Sequence, residues 1–236
     1  AVENVLKSYG VSVITGAGLK EIKEGTAVYT KNGEEDTLDG DAILLATGRG
    51  PNTEGLHAER AGVELTKRGA VVTDKHLRTT AENIWAAGDV CGNLQFTYIS
   101  LDDSRIILSD MQGDGSRTTE NRGAFAYSVF MEPSFSRAGL SEKEAADKGL
   151  NYRVVRMNTD MIPKAKVLRK TTGMLKAVID KDSGKILGAA LFCPESYEII
   201  NMVKLAMDHD LDYTVLRDFI YTHPTMSEGL NDLFAL

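Results

Sequence analysis

The chain has 236 residues, 42% hydrophobic and 26% charged, the composition of a folded protein with a substantial core. A formal net charge of −7 excludes the basic face that nucleic-acid binding requires, and no apolar run approaches the ~20 residues of a membrane span. Two cysteines, Cys91 and Cys193, are too few for a disulfide framework and point to a reducing compartment, the cytoplasm.

Ala1–Tyr9 reads as a helix with Val2, Val5, Leu6 and Tyr9 on one face and Gly10 as its stop. Glu3 and Lys7 break any signal-peptide core. Val11–Ile14 reads as a strand. A helix opening a doubly wound fold lacks the strand it packs beside, so an N-terminal part is expected to be missing. Gly16-Ala17-Gly18 reads as a turn, because Glu21 stands where a dinucleotide fingerprint needs its third glycine. Lys20–Thr30 alternates loosely and leads to a hairpin turn at Lys31-Asn32-Gly33-Glu34. Ala42–Leu45 predicts a short buried strand, leaving through Ala46-Thr47-Gly48-Arg49-Gly50-Pro51-Asn52, a natural crossover between domains. Leu56–Val63 is a short helical or turn segment, and Gly69–Thr73 reads as a strand.

The stretch Asn83–Gly92 is the most pointed. Ile84–Ala87 is an apolar run stopped by Gly88 and a single acid, Asp89. Such a run reads as a buried strand, with a helix segment as the alternative that periodicity leaves open. Ligands bind past the carboxyl ends of strands in open α/β sheets. Gly88 would let a ligand approach the backbone, and Asp89 would accept hydrogen bonds from sugar or polyol hydroxyls. An Asx-type turn closing a strand accounts for the same residues. A helix is predicted over Tyr98–Gln112, with Thr97 as N-cap and Ile99, Ile106 and Leu108 among its apolar positions.

Gly113–Gly123 is polar and glycine-rich, a linker or exposed loop. Beyond it come an apolar segment, Ala124–Met131, and a helix over Leu140–Gly149 with a Ser141/Glu144 capping box. Strands are predicted at Tyr152–Met157, Gly173–Ile179 and Ile186–Phe192, the last two joined by a turn at Asp182-Ser183-Gly184. Tyr197–Met207 is an amphipathic helix carrying Ile199, Ile200, Val203, Leu205, Ala206 and Met207, and Tyr213–Ile220 reads as another. The fold class is therefore α/β followed by α+β, an antiparallel sheet with helices.

Three separated stretches together resemble the pyridine nucleotide–disulfide oxidoreductase family, which includes glutathione reductase, dihydrolipoamide dehydrogenase and mercuric reductase. Ala46–Asn52 is similar to the family's hinge out of the nicotinamide domain, and Thr79–Gly92 to its second flavin motif. Tyr221-Thr222-His223-Pro224-Thr225-Met226-Ser227-Glu228 is similar to its C-terminal interface motif. Leu94–Asp103 and Thr222–Phe234 are most similar to its reactive-chlorine-resistance branch, a relative of mercuric reductase. The family's closely spaced cysteine pair, its N-terminal flavin fingerprint and its nicotinamide fingerprint have no counterpart here. The resemblance thus implies a C-terminal fragment of a two-dinucleotide-domain flavoprotein. Residues 1–50 would end the NAD(P)-binding domain, 51–122 the FAD-binding domain, and 123–236 would be the dimerisation domain.

The resemblance implies an NAD(P)H-dependent, FAD-containing homodimer reducing a disulfide, a metal ion or another small acceptor. It assigns Asp89, allowed close by Gly88, to the ribityl chain of FAD, and Thr97 to the helix start facing the flavin N1–C2 edge, where a helix N-terminus stabilises an anion. Ala46, Thr47, Gly48 and Arg49 would lie near the nicotinamide cofactor, or serve only as a crossover. His223 would be the acid–base group for the partner's thiols, oriented by Glu228; histidine suits proton exchange near neutrality. His223-Pro224 is an X-Pro bond, where a cis peptide is affordable. Thr225-x-x-Glu228 is also a ready capping box for a helix through Asn231 and Phe234. His223, Met226 and Cys193 are soft enough to hold copper(I), but Met226 and Cys193 read first as core fillers, and no metal site is assigned. Alternatives of other classes are a non-catalytic dimerisation module, and a flavoprotein oxidase or peroxidase without the cysteine pair.

Overall fold

Helix α1 (Val2–Ser8) buries Val5 alone of the four apolar residues expected on its face, and Gly10, at φ 79°, stops it. The computed structural model describes residues 1–236 and divides them into two units, residues 14–122 and residues 1–13 with 123–236. No helix is long and apolar enough to cross a membrane.

In residues 14–122, β1 (Ala17–Lys23), β2 (Thr26–Lys31) and β3 (Glu34–Asp39) form an antiparallel meander in that order. The two-residue turn Asn32-Gly33 joins β2 to β3 with both residues at positive φ, as an Asn-Gly hairpin requires. Two predicted strands do not form. Val11–Ile14 and Ala42–Leu45 carry no secondary structure, and Leu44 is 89% exposed. Their apolar residues suit a strand, but no strand of the chain pairs with them, and an unpaired backbone is left to water.

The remainder of this unit packs Ala58, Val63, Val71, Leu77, Ala86, Cys91 and Ile106 into a small core. Leu56–Val63 contains the expected single turn, a 3-10 segment at Ala58–Ala61. Gly69–Thr73 makes only isolated bridges, Leu65 to Val71 and Thr73 to Thr79. Ile84–Ala87 is likewise reduced to one bridge, Trp85 to Arg78. A side-chain clamp ties these two residues together. Asp110, 3% exposed, accepts two hydrogen bonds from Arg78 at 2.7 and 2.6 Å and one from Trp85 Nε1 at 2.9 Å. The Arg78 guanidinium holds the Asp110 carboxyl below its ordinary range. Asp110 lies on helix α2 (Thr97–Gln112).

Thr97 is the first residue of α2 rather than its cap. Phe96 holds the extended cap conformation, and its carbonyl accepts the first helical bonds from Ile99 and Ser100 at 2.9 and 3.1 Å. Leu108 is exposed; beside Ile99 and Ile106 the buried face of the helix carries Asp102 and Asp103 instead.

From residue 123 onward the chain builds a five-stranded antiparallel sheet. Its elements, in chain order, are β4 (Ala126–Val129), β5 (Phe135–Gly139), α3 (Glu142–Asp147), β6 (Tyr152–Asn158), α4 (Pro163–Leu168), β7 (Met174–Asp180) and β8 (Ile186–Phe192). Helices α5 (Ser196–Asp208), α6 (Thr214–Arg217) and α7 (Gly229–Ala235) complete the unit. The sheet order is β4-β5-β8-β7-β6. The Ser141 hydroxyl accepts from the Glu144 N–H at 3.1 Å while Glu144 accepts from the Ser141 N–H at 2.7 Å, so the α3 capping box is complete. β7 starts one residue later than predicted. Gly173 stands at φ 128°, and a Cβ there would lie 1.9 Å from the Phe192 carbonyl oxygen.

Helix α5 buries Ile199, Ile200, Val203 and Ala206 against β5 and β8, a stripe at helical spacing, while Leu205 faces out. With Leu175, Leu191, Leu230, Leu233 and Phe234 they make the main core. A chain of serine hydroxyls, half-buried at Ser128 and buried from Ser136 on, runs beside it. Ser128 meets Ser136 at 2.7 Å, Ser136 meets Ser196 at 2.8 Å, Ser196 meets Ser134 at 2.8 Å, and Ser134 donates to the Cys193 carbonyl at 3.0 Å. The helix predicted over Tyr213–Ile220 is cut to the single turn of α6. The Asn231 amide donates to the carbonyls of Leu216, Arg217 and Phe219 at 3.1, 2.6 and 3.1 Å, ending the helix from outside.

Candidate functional site

The Gly88–Asp89 pair opens a 3-10 turn, Gly88–Cys91, beside the first turns of α2. Gly88 takes φ 74°, which an L side chain rarely adopts, and a Cβ there would sit 2.8 Å from the Ser100 hydroxyl oxygen. The backbone therefore occupies space that only glycine leaves open. The next residue, Asp89, keeps its carboxylate part-exposed, with Arg49 Nη1 3.6 Å from Oδ2. The structure thus brings Arg49, Gly88 and Asp89 together. Ala46, Thr47 and Gly48 lie on the exposed stretch leading to Arg49.

Thr97 begins α2, whose start carries no side-chain cap. Its first N–H groups have no intrahelical acceptors, as at any helix start, and the helix dipole favours negative charge there. A glycine-floored turn, a carboxylate open to hydroxyl donors and an uncapped helix start in one unit fit a polyol chain attached to an anionic ring edge. A flavin is one cofactor with that chemistry.

The second group lies in residues 123–236. His223 Nδ1 is 2.8 Å from Glu228 Oε2, and the His223-Pro224 peptide is cis. The imidazole side chain is 71% exposed whereas that of Glu228 is 14% exposed. The two readings of Glu228 are separated here. Thr225 Oγ1 still accepts from the Glu228 N–H, at 3.3 Å, but the Glu228 carboxylate turns to His223 instead of closing a capping box. A carboxylate on Nδ1 fixes the ring and favours the proton on that nitrogen, leaving Nε2 on the open side. Met226 and Cys193 are core side chains, both fully buried.

Neither cysteine is placed for thiol chemistry. Burial pushes the Cys91 thiol up to about 11, with Asp103 adding to it, and burial pushes Cys193 up to about 12. Both stay protonated at pH 7, and the thiolate is the reactive form. Alkylating reagents at pH 7 are therefore expected to leave the native chain unmodified and to label both cysteines once it is unfolded. Rapid labelling of the native chain would contradict this.

Sequence reasoning missed Ser100, which fills the space over Gly88, and Asp103, which accepts from its N–H. One signal was available: Asp103 falls on the apolar spacing set by Ile99 and Ile106, so an acid stands where a core residue is due.

Residues 1–104 match the pyridine nucleotide-disulphide oxidoreductase domain, and residues 125–234 match the pyridine nucleotide-disulphide oxidoreductase dimerisation domain. The probable pyridine nucleotide-disulfide oxidoreductase RclA of Escherichia coli K12 is 47% identical over 100% of this chain and 53% of its own length. The mercuric reductase of Staphylococcus aureus is 34% identical over 98% of this chain and 43% of its own. A solved structure, the HOCl-induced flavoprotein disulfide reductase RclA from Escherichia coli, matches with a TM-score of 0.90 at 46% identity, covering 100% of this chain and 54% of that one. The chain spans about half the length of these relatives.

Proposed function

The chain belongs to the pyridine nucleotide–disulphide oxidoreductase family, and from that membership we propose that it supplies the C-terminal half of a homodimeric, FAD-dependent NAD(P)H oxidoreductase of the cytoplasm, acting on a disulfide, a metal ion or a related acceptor. The observation that carries the reading is the Gly88–Asp89 turn lying beside the uncapped start of α2. Asp89 would accept from the ribityl hydroxyls, and the N–H groups from Thr97 onward would face the flavin's anionic edge. Arg49, with Ala46, Thr47 and Gly48, would border the nicotinamide side. When bound, the flavin would supply two-electron transfer between nicotinamide and acceptor. His223 would hold and release a proton at Nε2, with Glu228 fixing the ring through Nδ1.

Dimer formation is supported by the family match of residues 125–234 and by large apolar side chains left on the surface of that unit, among them Phe130 at 99% and Ile220 at 93% exposure. A second reading, for the 236 residues by themselves, is a dimerisation module without catalysis. The unpaired, exposed stretch Ile43–Leu45 favours it, since the sheet that would complete a nucleotide site is not formed.

The full-length flavoprotein is expected to purify yellow and to be bleached anaerobically by NADH or NADPH. The 236-residue chain by itself is expected to be colourless and dimeric. Absorbance and light scattering decide both: a full-length protein that takes up no flavin removes the first reading, and FAD retained by the short chain removes the second.

A further inference from the structure

Beneath the Gly88–Asp89 turn lies a chain of ion pairs, deepest at Asp103 and part-exposed at Arg117, that the proposed chemistry does not itself use. The Asp103 side chain is 3% exposed. Its Oδ2 accepts from the Gly88 N–H at 2.8 Å, and its Oδ1 accepts from Arg122 Nη2 at 2.7 Å. Arg122 in turn places Nε 3.4 Å from Asp102 Oδ2, and Asp102 Oδ1 is paired with Arg117. Both aspartates sit on the buried face of α2.

Buried carboxylates are costly unless paired and hydrogen-bonded. A neutral side chain would satisfy one backbone N–H at less cost. What the charged arrangement adds is direction. Arg122 fixes the plane of the Asp103 carboxylate, and that carboxylate makes a charge-assisted bond to Gly88. Gly88 is meanwhile confined by its φ of 74° and by Ser100 over its Cα. The turn is therefore held on two sides immediately before Asp89.

The geometry points to Asp103 as a positioning residue, which through the Gly88 N–H holds the Asp89 carboxylate where a flavin's polyol chain is received, with Arg122 orienting Asp103. This role rests on the flavin reading above. Asp103 does not touch the cofactor in it.

The first test needs no flavin. Amide hydrogen exchange at Gly88 is measured in the 236-residue chain, with Ile106 as the internal reference. Asp103→Leu, similar in size but unable to accept, is expected to quicken Gly88 exchange by about tenfold or more, and Asp103→Asn, which keeps an oxygen but loses the charge, by roughly threefold. Unchanged exchange in Asp103→Leu overturns the assignment. Should that variant fail to fold, wild-type exchange in Asp103→Asn overturns it equally.

The second test uses the full-length flavoprotein. Asp103→Leu is expected to weaken FAD binding by about tenfold, but by less than about twofold when Asp89 is already alanine, because Asp103 acts through Asp89. If the two losses simply multiply, the role is overturned while the flavin reading stands. If Asp89→Ala alone leaves FAD affinity unchanged, the flavin reading falls and this role with it.

Discussion

Replacing His223 by alanine in the full-length dimer is expected to slow reduction of the acceptor by about a hundredfold to ten-thousandfold, the range lost with a general acid–base group, while flavin reduction by NAD(P)H stays within about twofold. The split follows from where the ring sits. His223 is exposed and pairs through Nδ1 with the largely buried Glu228, 2.8 Å away. A structural histidine would bury its ring and satisfy both nitrogens at home. This one is braced on one side and open on the other. Glu228→Gln keeps an oxygen near Nδ1 but removes the negative charge, so it should lose much less than His223→Ala. Stopped-flow measurement of the two half-reactions distinguishes the outcomes. Equal slowing of both by His223→Ala would remove the assigned role.

The second large effect is expected at Gly88. Valine there must adopt a φ of 74° and set a branched side chain where a Cβ already lies 2.8 Å from Ser100 Oγ and 3.4 Å from Ser100 Cβ. Strain of that kind costs roughly 1–3 kcal/mol before any packing is disturbed. The turn relieves it by moving, and Asp89 moves with it. Full-length Gly88→Val is therefore expected to lose FAD affinity by about a hundredfold, measured as flavin retained after gel filtration. Combining Gly88→Ala with Ser100→Gly should recover only part of the loss, since it clears the contact and leaves the φ penalty. A Gly88→Val protein that keeps its flavin at wild-type affinity would falsify the turn's part in the site.

How much of this was legible beforehand depends on the range of the interaction that decides each element. Local rules succeeded where local atoms decide. The Asn32-Gly33 turn, the Ser141/Glu144 capping box, strand β8 and the α5 stripe all appear where the sequence places them. Val11–Ile14 and Ala42–Leu45 differ from expectation because a strand is a property of two segments, and no strand of the chain pairs with either. Strand β5 carries no local signal of its own. Its inward Ser136 looks like a surface residue until Ser196, sixty positions away, is placed beside it. The truncation of the helix at Arg217 is decided by Asn231, again far along the chain.

The site shows the same division. The hinge, flavin and interface stretches could be read only through their resemblance to the family, whose order and spacing they share. Spacing also offered two uses for Glu228, and only the side-chain geometry turned it to His223. Asp103 was legible as an anomaly, an acid on an apolar register, but not as the acceptor for Gly88.

The hydroxyl chain beside the core of residues 123–236 has a sense of travel. Each serine owns a single proton. Ser134 gives its own to the Cys193 carbonyl, so it must receive one from Ser196; Ser196 must then receive from Ser136, and Ser136 from Ser128. Donation runs one way, from strand β4 at the sheet's edge to the residue after β8. The consequence is an asymmetry in what evolution can change. Losing the hydroxyl of Ser128 leaves a vacant lone pair on Ser136, whose proton is still used. Losing that of Ser134 leaves the proton of Ser196 without an acceptor and the carbonyl of Cys193 with the Ser196 N–H alone, both at buried positions. The permissible drift of this core is thus graded along the line, loosest at its source and strictest at its sink.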